Sequence, residues 1–370
     1  MKKILMTYGE PFVYGGQEMF SLNLYRNINK SKTIFDFYTP YYVSNFSLIK
    51  ILDKNSKFYY DNKKDKGFLK KIYYIIYFNK FLKLHKNNYD IIHINSGSSF
   101  TLAIGAYIAK KNGIKKVIVH AHSSGTSRNR HKIINKILSR YYKYADNFLA
   151  CSKEAAKYHF PNEIIQKNNY TIISNGIDIE KYKYNEEKRK EYRKLLNIND
   201  NEILIGNVGR LSKEKNQIFI LEILKKILNK NKNYKLLLIG NGSYKNQIKN
   251  KIEELKIKDN VIIFENRNDI NYLLMAMDIF VFPSIFEGLG IALIEAEATG
   301  LPSICSAGIP KEAIVNKNCY QINDFKIDNW IKLIKTISLY RVVSSDLKKY
   351  YSLDYMIKQM ESIYFEETNY

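Results

Sequence analysis

A chain of 370 residues is long enough for two domains of ordinary size, and a hydrophobic fraction of 45% argues for globular folding and against disorder. No run approaches the ~18 uncharged apolar residues that span a bilayer. The net charge of +23 is uneven: residues 1–180 carry 29 basic and 12 acidic side chains, net +17, whereas residues 181–370 carry 30 and 24, net +6. Compositional drift toward lysine would touch both halves alike, so the excess points the first half at something anionic.

In chain order, the opening MKKILMTYGEPF has only a short apolar stretch and no small-residue cleavage site, so it reads as a first strand rather than a secretory signal. Strand-length apolar runs follow in YDIIHINS, KKVIVHAHS and NFLACS, then in EILIGNVG, YKLLLIGNG, VIIFEN and DIFVFPS. Many of the segments between them have helical spacing; in LEILKKILNK, Leu221, Leu224 and Leu228 share one face. This alternation predicts parallel sheets covered by helices on both faces. The pattern also restarts. Met1–Gly16 opens one strand–loop–helix series and Glu202–Asn216 a second, which favours two doubly wound domains over one large sheet. The seam is expected in the charged stretch IEKYKYNEEKRKEYRK, Ile179–Lys194. The expected division is 1–180, 181–345 and a terminal segment, 346–370.

Parallel sheets bind ligands beyond the carboxyl ends of their strands. The residues expected there are Gly15-Gly16, His93, His122, Ser152, Arg210, Gly240-Gly242 and Glu287. No GxGxxG is present, so a dinucleotide has little support. No Asp-x-Asp follows a strand and no His/Cys cluster has ligand spacing, so neither a metal nor a cofactor is required. Cys151, Cys305 and Cys319 have no disulfide-framework spacing, which fits a reducing, cytoplasmic compartment.

SIFEGLGIALIEAEATGLP places Glu287 and Glu295 on either side of the Gly288-Leu289-Gly290 turn, ahead of a short helix from Ile291 stopped by Gly300 and Pro302. The glycines permit close backbone approach to a ligand, and the helix start offers free N–H groups to an anion. Carboxylates accept hydrogen bonds from adjacent hydroxyls, so both glutamates suit sugar or ribose diols. From the residues alone they are read equally well as favourable charges near a helix start. NVGRLSKEKN carries Arg210 and Lys215 just after a strand, where two cations could grip a pyrophosphate. In so basic a chain, a surface pair is the plainer reading. His120 and His122 should point the same way by alternation, and His93 is read as structural or as a wall of the acceptor pocket.

PSIFEGLGIALIEAEATGLP resembles the signature of the family-4 retaining glycosyltransferases, a GT-B group that includes many bacterial capsule and exopolysaccharide enzymes. The resemblance implies that Glu287 binds hydroxyls of the donor sugar, that Glu295 binds the nucleotide ribose, and that the Gly288–Ile291 amides lie by sugar and phosphate. The family usually has Phe where this chain has Leu289, and Met where it has Glu297. GRLSKEKN is similar to the family's diphosphate element, which gives Arg210 and Lys215 to the leaving nucleotide. His122 takes the place of the family's catalytic-site histidine. Gly15-Gly16 matches its first glycine loop, near the donor phosphate; Gly240-Asn241-Gly242 stands beside the nucleotide; and the backbone around Arg267 in FENRND is expected to read the base. ISNGID, Ile173–Asp178, matches an element near the domain junction.

The implied fold is α/β, GT-B, with two Rossmann-like domains and an interdomain cleft. The implied activity is metal-independent retaining transfer from a nucleotide-sugar, UDP-linked, to a lipid-linked saccharide. The N-terminal domain would take the acceptor, and SLDYMIKQMESIYFEE would pack back upon it. Asn62–Lys86 interleaves eight lysines, among them Lys63, Lys64, Lys66, Lys70 and Lys71, with Phe, Leu, Ile and Tyr. This segment is read either as a peripheral contact with an anionic membrane or as a core helix with a solvated lysine face. Rival readings are a GT-B epimerase or phosphorylase, whose carboxylate or pyridoxal-lysine signatures are not visible, and a nucleic-acid binder. Only 9 of the 59 basic residues are arginine, and no recognition motif speaks for the binder.

Overall fold

The computed structural model describes residues 1–13, 15–61, 69–124, 128–265 and 267–366. They form two compact units: Met1–Ile177 with the chain from Ser352 onward, and Asp178–Tyr351. The boundaries thus fall at 177/178 and 351/352, where the sequence suggested 180/181 and 345/346. The charged stretch chosen as a seam folds largely as a helix of the second unit, with Tyr192 and Arg193 buried.

Unit 1 runs β1 (Lys2–Tyr8), α1 (Gly16–Asn27), β2 (Thr33–Thr39), β3 (Phe58–Tyr60), α2 (Leu69–His85), β4 (Ile91–Ser96), α3 (Ser99–Lys111) and β5 (Lys116–Ala121). It continues through α4 (Arg128–Tyr142), β6 (Asn147–Ala150), α5 (Lys153–His159), α6 (Asn162–Gln166) and β7 (Thr171–Ile172). Among the described residues these strands make a seven-stranded sheet in the order β3-β2-β1-β4-β5-β6-β7, and every pairing is parallel. The order reverses at β1, so the carboxyl ends of β1 and β4 open on the crevice where such sheets bind ligands.

Unit 2 runs α7 (Glu186–Leu195), β8 (Ile203–Val208), α8 (Gln217–Leu228), β9 (Tyr234–Ile239), α9 (Lys245–Glu254), β10 (Val261–Phe264) and α10 (Ile270–Ala276). It ends with β11 (Ile279–Phe282), α11 (Ile291–Ala298), β12 (Ser303–Ser306), β13 (Cys319–Ile322), α12 (Ile327–Thr336) and α13 (Ser345–Tyr351). Its six described strands are ordered β10-β9-β8-β11-β12-β13, again parallel throughout. The leucines singled out on α8 are all buried, in a core with Trp330 and the sheet.

The last helix, α14 (Leu353–Phe365), belongs to unit 1. Met356, Met360, Ile363 and Tyr364 join the core formed by β1, α1 and β2. Gly176 makes the docking possible: a Cβ there would lie 3.0 Å from both the Leu353 Cα and the Ser352 carbonyl oxygen. The ISNGID glycine therefore has a packing role. No helix among the described residues is long and apolar enough to cross a membrane.

Candidate functional site

In unit 2 the loops after β8, β9, β11 and β12 are tied together at the carboxyl edge of the sheet. Leu211 N–H donates to the Asn241 carbonyl at 3.0 Å, Ile285 N–H to Glu214 at 2.7 Å, and Glu287 N–H to Gly308 at 3.0 Å. The glycines allow this closeness. A Cβ on Gly240, whose φ is +153°, would fall 1.9 Å from the Gly209 carbonyl oxygen, and one on Gly242 2.1 Å from that of Leu211. Gly240 is thus needed for loop packing, whatever it offers a ligand.

This frame brings Lys215 to Glu287. Lys215 ends a short 3-10 turn, Lys213–Lys215, and the left-handed Asn216 (φ 57°) then starts α8. The Lys215 ammonium pairs directly with Glu287 Oε1 and lies 5.4 Å from the centre of the Phe282 ring. Both side chains are largely buried. Gly290, with φ +92°, caps α11, and Leu289 is buried beneath the turn. Gly288 and Ile291 complete the turn at the helix start. Arg210 reaches the same edge but is exposed, and no hydrogen bond or ion pair to its guanidinium is found among the described residues. Its backbone is held instead, since the Gln217 side-chain amide donates to the Arg210 carbonyl at 3.0 Å. A paired ammonium–carboxylate beside a free guanidinium and a glycine turn can meet both phosphate and hydroxyl groups.

Glu295 lies on α11, where Tyr182 donates its hydroxyl to Oε1 at 2.6 Å. Burial raises the Glu295 pKa, opposed by this hydrogen bond and the nearby Lys181. Tyr182 was not singled out from sequence, although it sits in the charged stretch IEKYKY. Two residues on, Glu297 is fully buried, and burial pushes its carboxyl up to about 7 against the pull of the Asn316 and Val315 amides. It occupies a structural position, not a ligand edge. Arg267 is bound to Asp269 through Nε at 2.8 Å and covers Phe264 at 4.9 Å, so its side chain is committed within its own loop.

In unit 1, Gly15 is the extended N-cap of α1, and Asn175 donates to the Gly16 carbonyl at 2.9 Å. His120 and His122 do lie together, with ring centres 4.0 Å apart. Asn95, not singled out from sequence, orients His122. Its amide nitrogen donates to the His93 carbonyl, which turns its Oδ1 toward His122 Nε2 at 2.8 Å. His122 therefore donates through Nε2 and leaves Nδ1 as an acceptor, buried and without a partner among the described residues. Burial, then the neighbouring His159, hold His122 down at about 3, so it is a neutral imidazole at pH 7. His93 is wholly buried between the Tyr364 hydroxyl, at 2.7 Å from Nδ1, and His120 Nδ1, at 3.3 Å from Nε2. Its role is structural. Ser152 is likewise buried, capping α5 by accepting from Ala155 N–H at 3.1 Å.

A cavity of about 400 Å³ lies elsewhere in unit 2, at the amino ends of β8 and β11. Arg189, Asp278 and Arg341 line it, but these arginines donate to the carbonyls that close α10. It is architecture rather than a ligand site.

Residues 14–181 match the model described as Glycosyltransferase Family 4, and residues 188–352 that of Glycosyl transferases group 1. The chain is 30% identical over 249 residues to the UDP-Gal:alpha-D-GlcNAc-diphosphoundecaprenol alpha-1,3-galactosyltransferase of Escherichia coli, a match spanning 65% of this chain and 62% of the relative. It is 25% identical over 338 residues to the putative glycosyltransferase EpsF of Bacillus subtilis, covering 89% and 82% of the two chains. The crystal structure of Anabaena Alr3699/HepE in complex with UDP and glucose has a similar fold, with a TM-score of 0.79 at 16% identity over 99% of this chain and 100% of that one. Matched across both units in sequence and fold, the chain belongs to the family-4 glycosyltransferases, with the two Rossmann-like domains of the GT-B fold.

Proposed function

We propose that this glycosyltransferase moves a sugar, with retention and without a metal, from a UDP-sugar to a polyprenyl-diphosphate-linked saccharide in the synthesis of a cell-surface polysaccharide. The observation that carries the reading is the Lys215–Glu287 pair at the carboxyl edge of unit 2, beside Arg210 and the Gly288–Ile291 turn. The choice of substrates is supported by the substrates in the name of the Escherichia coli relative and by the UDP complex of HepE.

Unit 2 is assigned the donor. Arg210 and Lys215 neutralise the diphosphate as the bond from its oxygen to the sugar carbon breaks. Glu287 accepts sugar hydroxyls, Glu295 and Tyr182 take the ribose, and the backbone about Arg267 the base. Gly15 and Gly16 are assigned to the donor phosphate, and His122 Nδ1 to a sugar hydroxyl. The acceptor oxygen bonds to the same face of the sugar carbon, and its proton passes to the departing phosphate. The test incubates the protein with a panel of UDP-sugars and α-GlcNAc-diphosphate-polyprenol in detergent, then determines the product's anomeric configuration by NMR. Transfer with retention is expected from one donor. The absence of both transfer and any UDP-dependent melting shift would overturn the reading.

The two glutamates should separate by role. Glu287→Gln is expected to impair transfer while leaving the affinity for free UDP nearly intact, whereas Glu295→Ala should weaken UDP itself. Calorimetric titration of UDP into both variants checks this, and an equal loss in the two contradicts the division.

The reaction is assigned to the cytoplasmic face of the plasma membrane, with α2 as the contact. Residues 62–68, including Lys63, Lys64 and Lys66, lie outside the described residues. Within α2, Tyr74, Phe78, Phe81 and Leu82 face the core. Leu69 and Ile76 are more than half exposed (56% and 54%), and Ile72 and Ile75 are also open, alongside exposed Lys71, Lys80 and Lys83. A purely solvated lysine face would not carry these isoleucines, whereas an anionic leaflet accepts both kinds of side chain. Flotation with vesicles containing phosphatidylglycerol should show binding that falls with salt and is reduced by Lys71→Gln/Lys80→Gln/Lys83→Gln. Wild-type protein that ignores such vesicles at low salt would remove the membrane from the proposal.

A further inference from the structure

Glu10 has no part in the assignments above, yet its position is built with care. It follows β1, the strand at which the order of the unit 1 sheet reverses, on the carboxyl edge. Its carbonyl accepts the Thr39 hydroxyl at 2.9 Å, from the end of β2. Its carboxylate Oε1 accepts the Ser96 hydroxyl at 2.8 Å, from the end of β4. The residue is thereby held from the strands on both sides of β1, its backbone by Thr39 and its carboxylate by Ser96. The other oxygen, Oε2, is buried and has no hydrogen-bond partner among the described residues. Leaving a carboxylate oxygen buried without a donor is unfavourable, and native structures rarely do so without a use for it.

The surroundings indicate what would fill the place. Burial raises the Glu10 pKa, while Lys70, Ser96 and Gln17 act in the opposite direction. Lys70 is itself fixed: its carbonyl accepts the Tyr41 hydroxyl at 2.7 Å and its ammonium lies 5.2 Å from the Tyr41 ring centre. A cation is therefore already present and Ser96 and Gln17 act on the carboxylate as neutral donors, so the place left at Oε2 suits one more neutral donor, a hydroxyl. Across the same edge, the register pairs Tyr8 with Asn95 and Ser96 with Ala121, so Glu10, Ser96 and His122 follow three neighbouring strands, β1, β4 and β5. Glu10 Oε2 and His122 Nδ1 are both unpartnered acceptors. They flank β4 on opposite sides, Glu10 toward β2 and His122 toward β6. Lys70 and the Tyr41 contact also tie Glu10 to α2, the helix assigned to the lipid surface.

We propose that Glu10 receives a hydroxyl of the acceptor saccharide through Oε2 and so selects which sugar is extended. This rests on the glycosyl-transfer reading above, and the experiment separates the two. With the donor and polyprenyl-diphosphate saccharide that the wild-type protein turns over, Glu10→Gln should raise the acceptor KM roughly 10- to 100-fold, as expected for losing one charge-assisted hydrogen bond. The donor KM, the UDP-induced melting shift and the melting temperature should stay within experimental spread of wild type. Monodeoxy acceptors supply the sharper readout. Removing one particular hydroxyl should cost the wild-type protein the same factor and cost Glu10→Gln nothing further. Glu10→Asp, with its carboxylate drawn back, should fall between the two. An unchanged acceptor KM, or donor and acceptor KM rising together, overturns the assignment while leaving the transferase reading intact. A wild-type protein inert toward every donor overturns both.

Discussion

Replacing Arg210 or Lys215 with alanine is expected to lower glycosyl transfer by at least ~10²-fold, the scale for removing one preorganised electrostatic contact from a site of charge development. The two substitutions should reach that result differently. Arg210 is exposed and holds no partner among the described residues, so Arg210→Ala should leave the melting temperature unchanged. Lys215 is paired with the largely buried Glu287, and Lys215→Ala leaves that carboxylate without its cation. Some loss of stability should accompany the loss of turnover there, and Lys215→Ala/Glu287→Gln should recover the stability without the activity. Steady-state kinetics with the UDP-sugar, beside thermal unfolding, reads both quantities. Near-normal turnover in a folded Arg210→Ala protein would remove it from the site.

Asp278→Ala should produce the larger effect on folding, about 3–5 kcal/mol, the range for stripping one partner from a buried ion pair. Asp278 is 9% exposed at the head of β11. Its Oδ1 takes Arg189 at 2.5 Å, and its Oδ2 takes both Arg193 at 2.9 Å and the Leu204 N–H at 2.8 Å. Arg189 and Arg193 are four residues apart on α7, hence on one face, and with Arg341 they cover carbonyls at the end of α10. Burial pushes Arg341 down to about 10, a sign of how poorly this corner tolerates charge. Without Asp278, Arg189 and Arg193 lose the carboxylate that both of them bind. Urea unfolding should show a lower midpoint at an unchanged slope, whereas Asp200→Ala, exposed on the same cavity, should shift it by no more than about 0.5 kcal/mol. A midpoint unmoved in Asp278→Ala would contradict the account.

What could be read in advance follows from the range of the interactions. Strands such as β8 and β9 announce themselves as continuous apolar runs, because both faces of a parallel sheet are covered. The glutamate–glycine turn and the Arg210–Lys215 element are local patterns as well. β2 was missed because Asp36 interrupts its pattern, yet that carboxylate is buried and accepts the Tyr89 hydroxyl at 2.9 Å. β7 has only two residues, too short for any periodicity, and in β12 Ser303 and Ser306 bracket just two apolar side chains. The direct pairing of Lys215 with Glu287 spans 72 residues, and the hold of Asn95 on His122 depends on the register between β4 and β5. Neither leaves a trace in local spacing. Glu10 was hidden for the same reason, since its environment is assembled from the ends of two other strands. Gly240 and Gly242 carry a second demand that local spacing does not show, since the backbone of the loop after β8 lies against both.

The return of α14 to the first unit bears on how the molecule is made. Ile177 and Ser352 are bridged as neighbours, so the whole of unit 2 is spliced into unit 1 between two adjoining points. During synthesis unit 2 is complete before the ribosome releases Leu353–Phe365. Until then, the faces of β1 and α1 that receive Met356, Met360 and Tyr364 stay open, and His93 lacks its tyrosine. The half of the chain that emerges first is therefore the last to close, and its nascent apolar surface must be shielded for as long as the inserted unit takes to be translated.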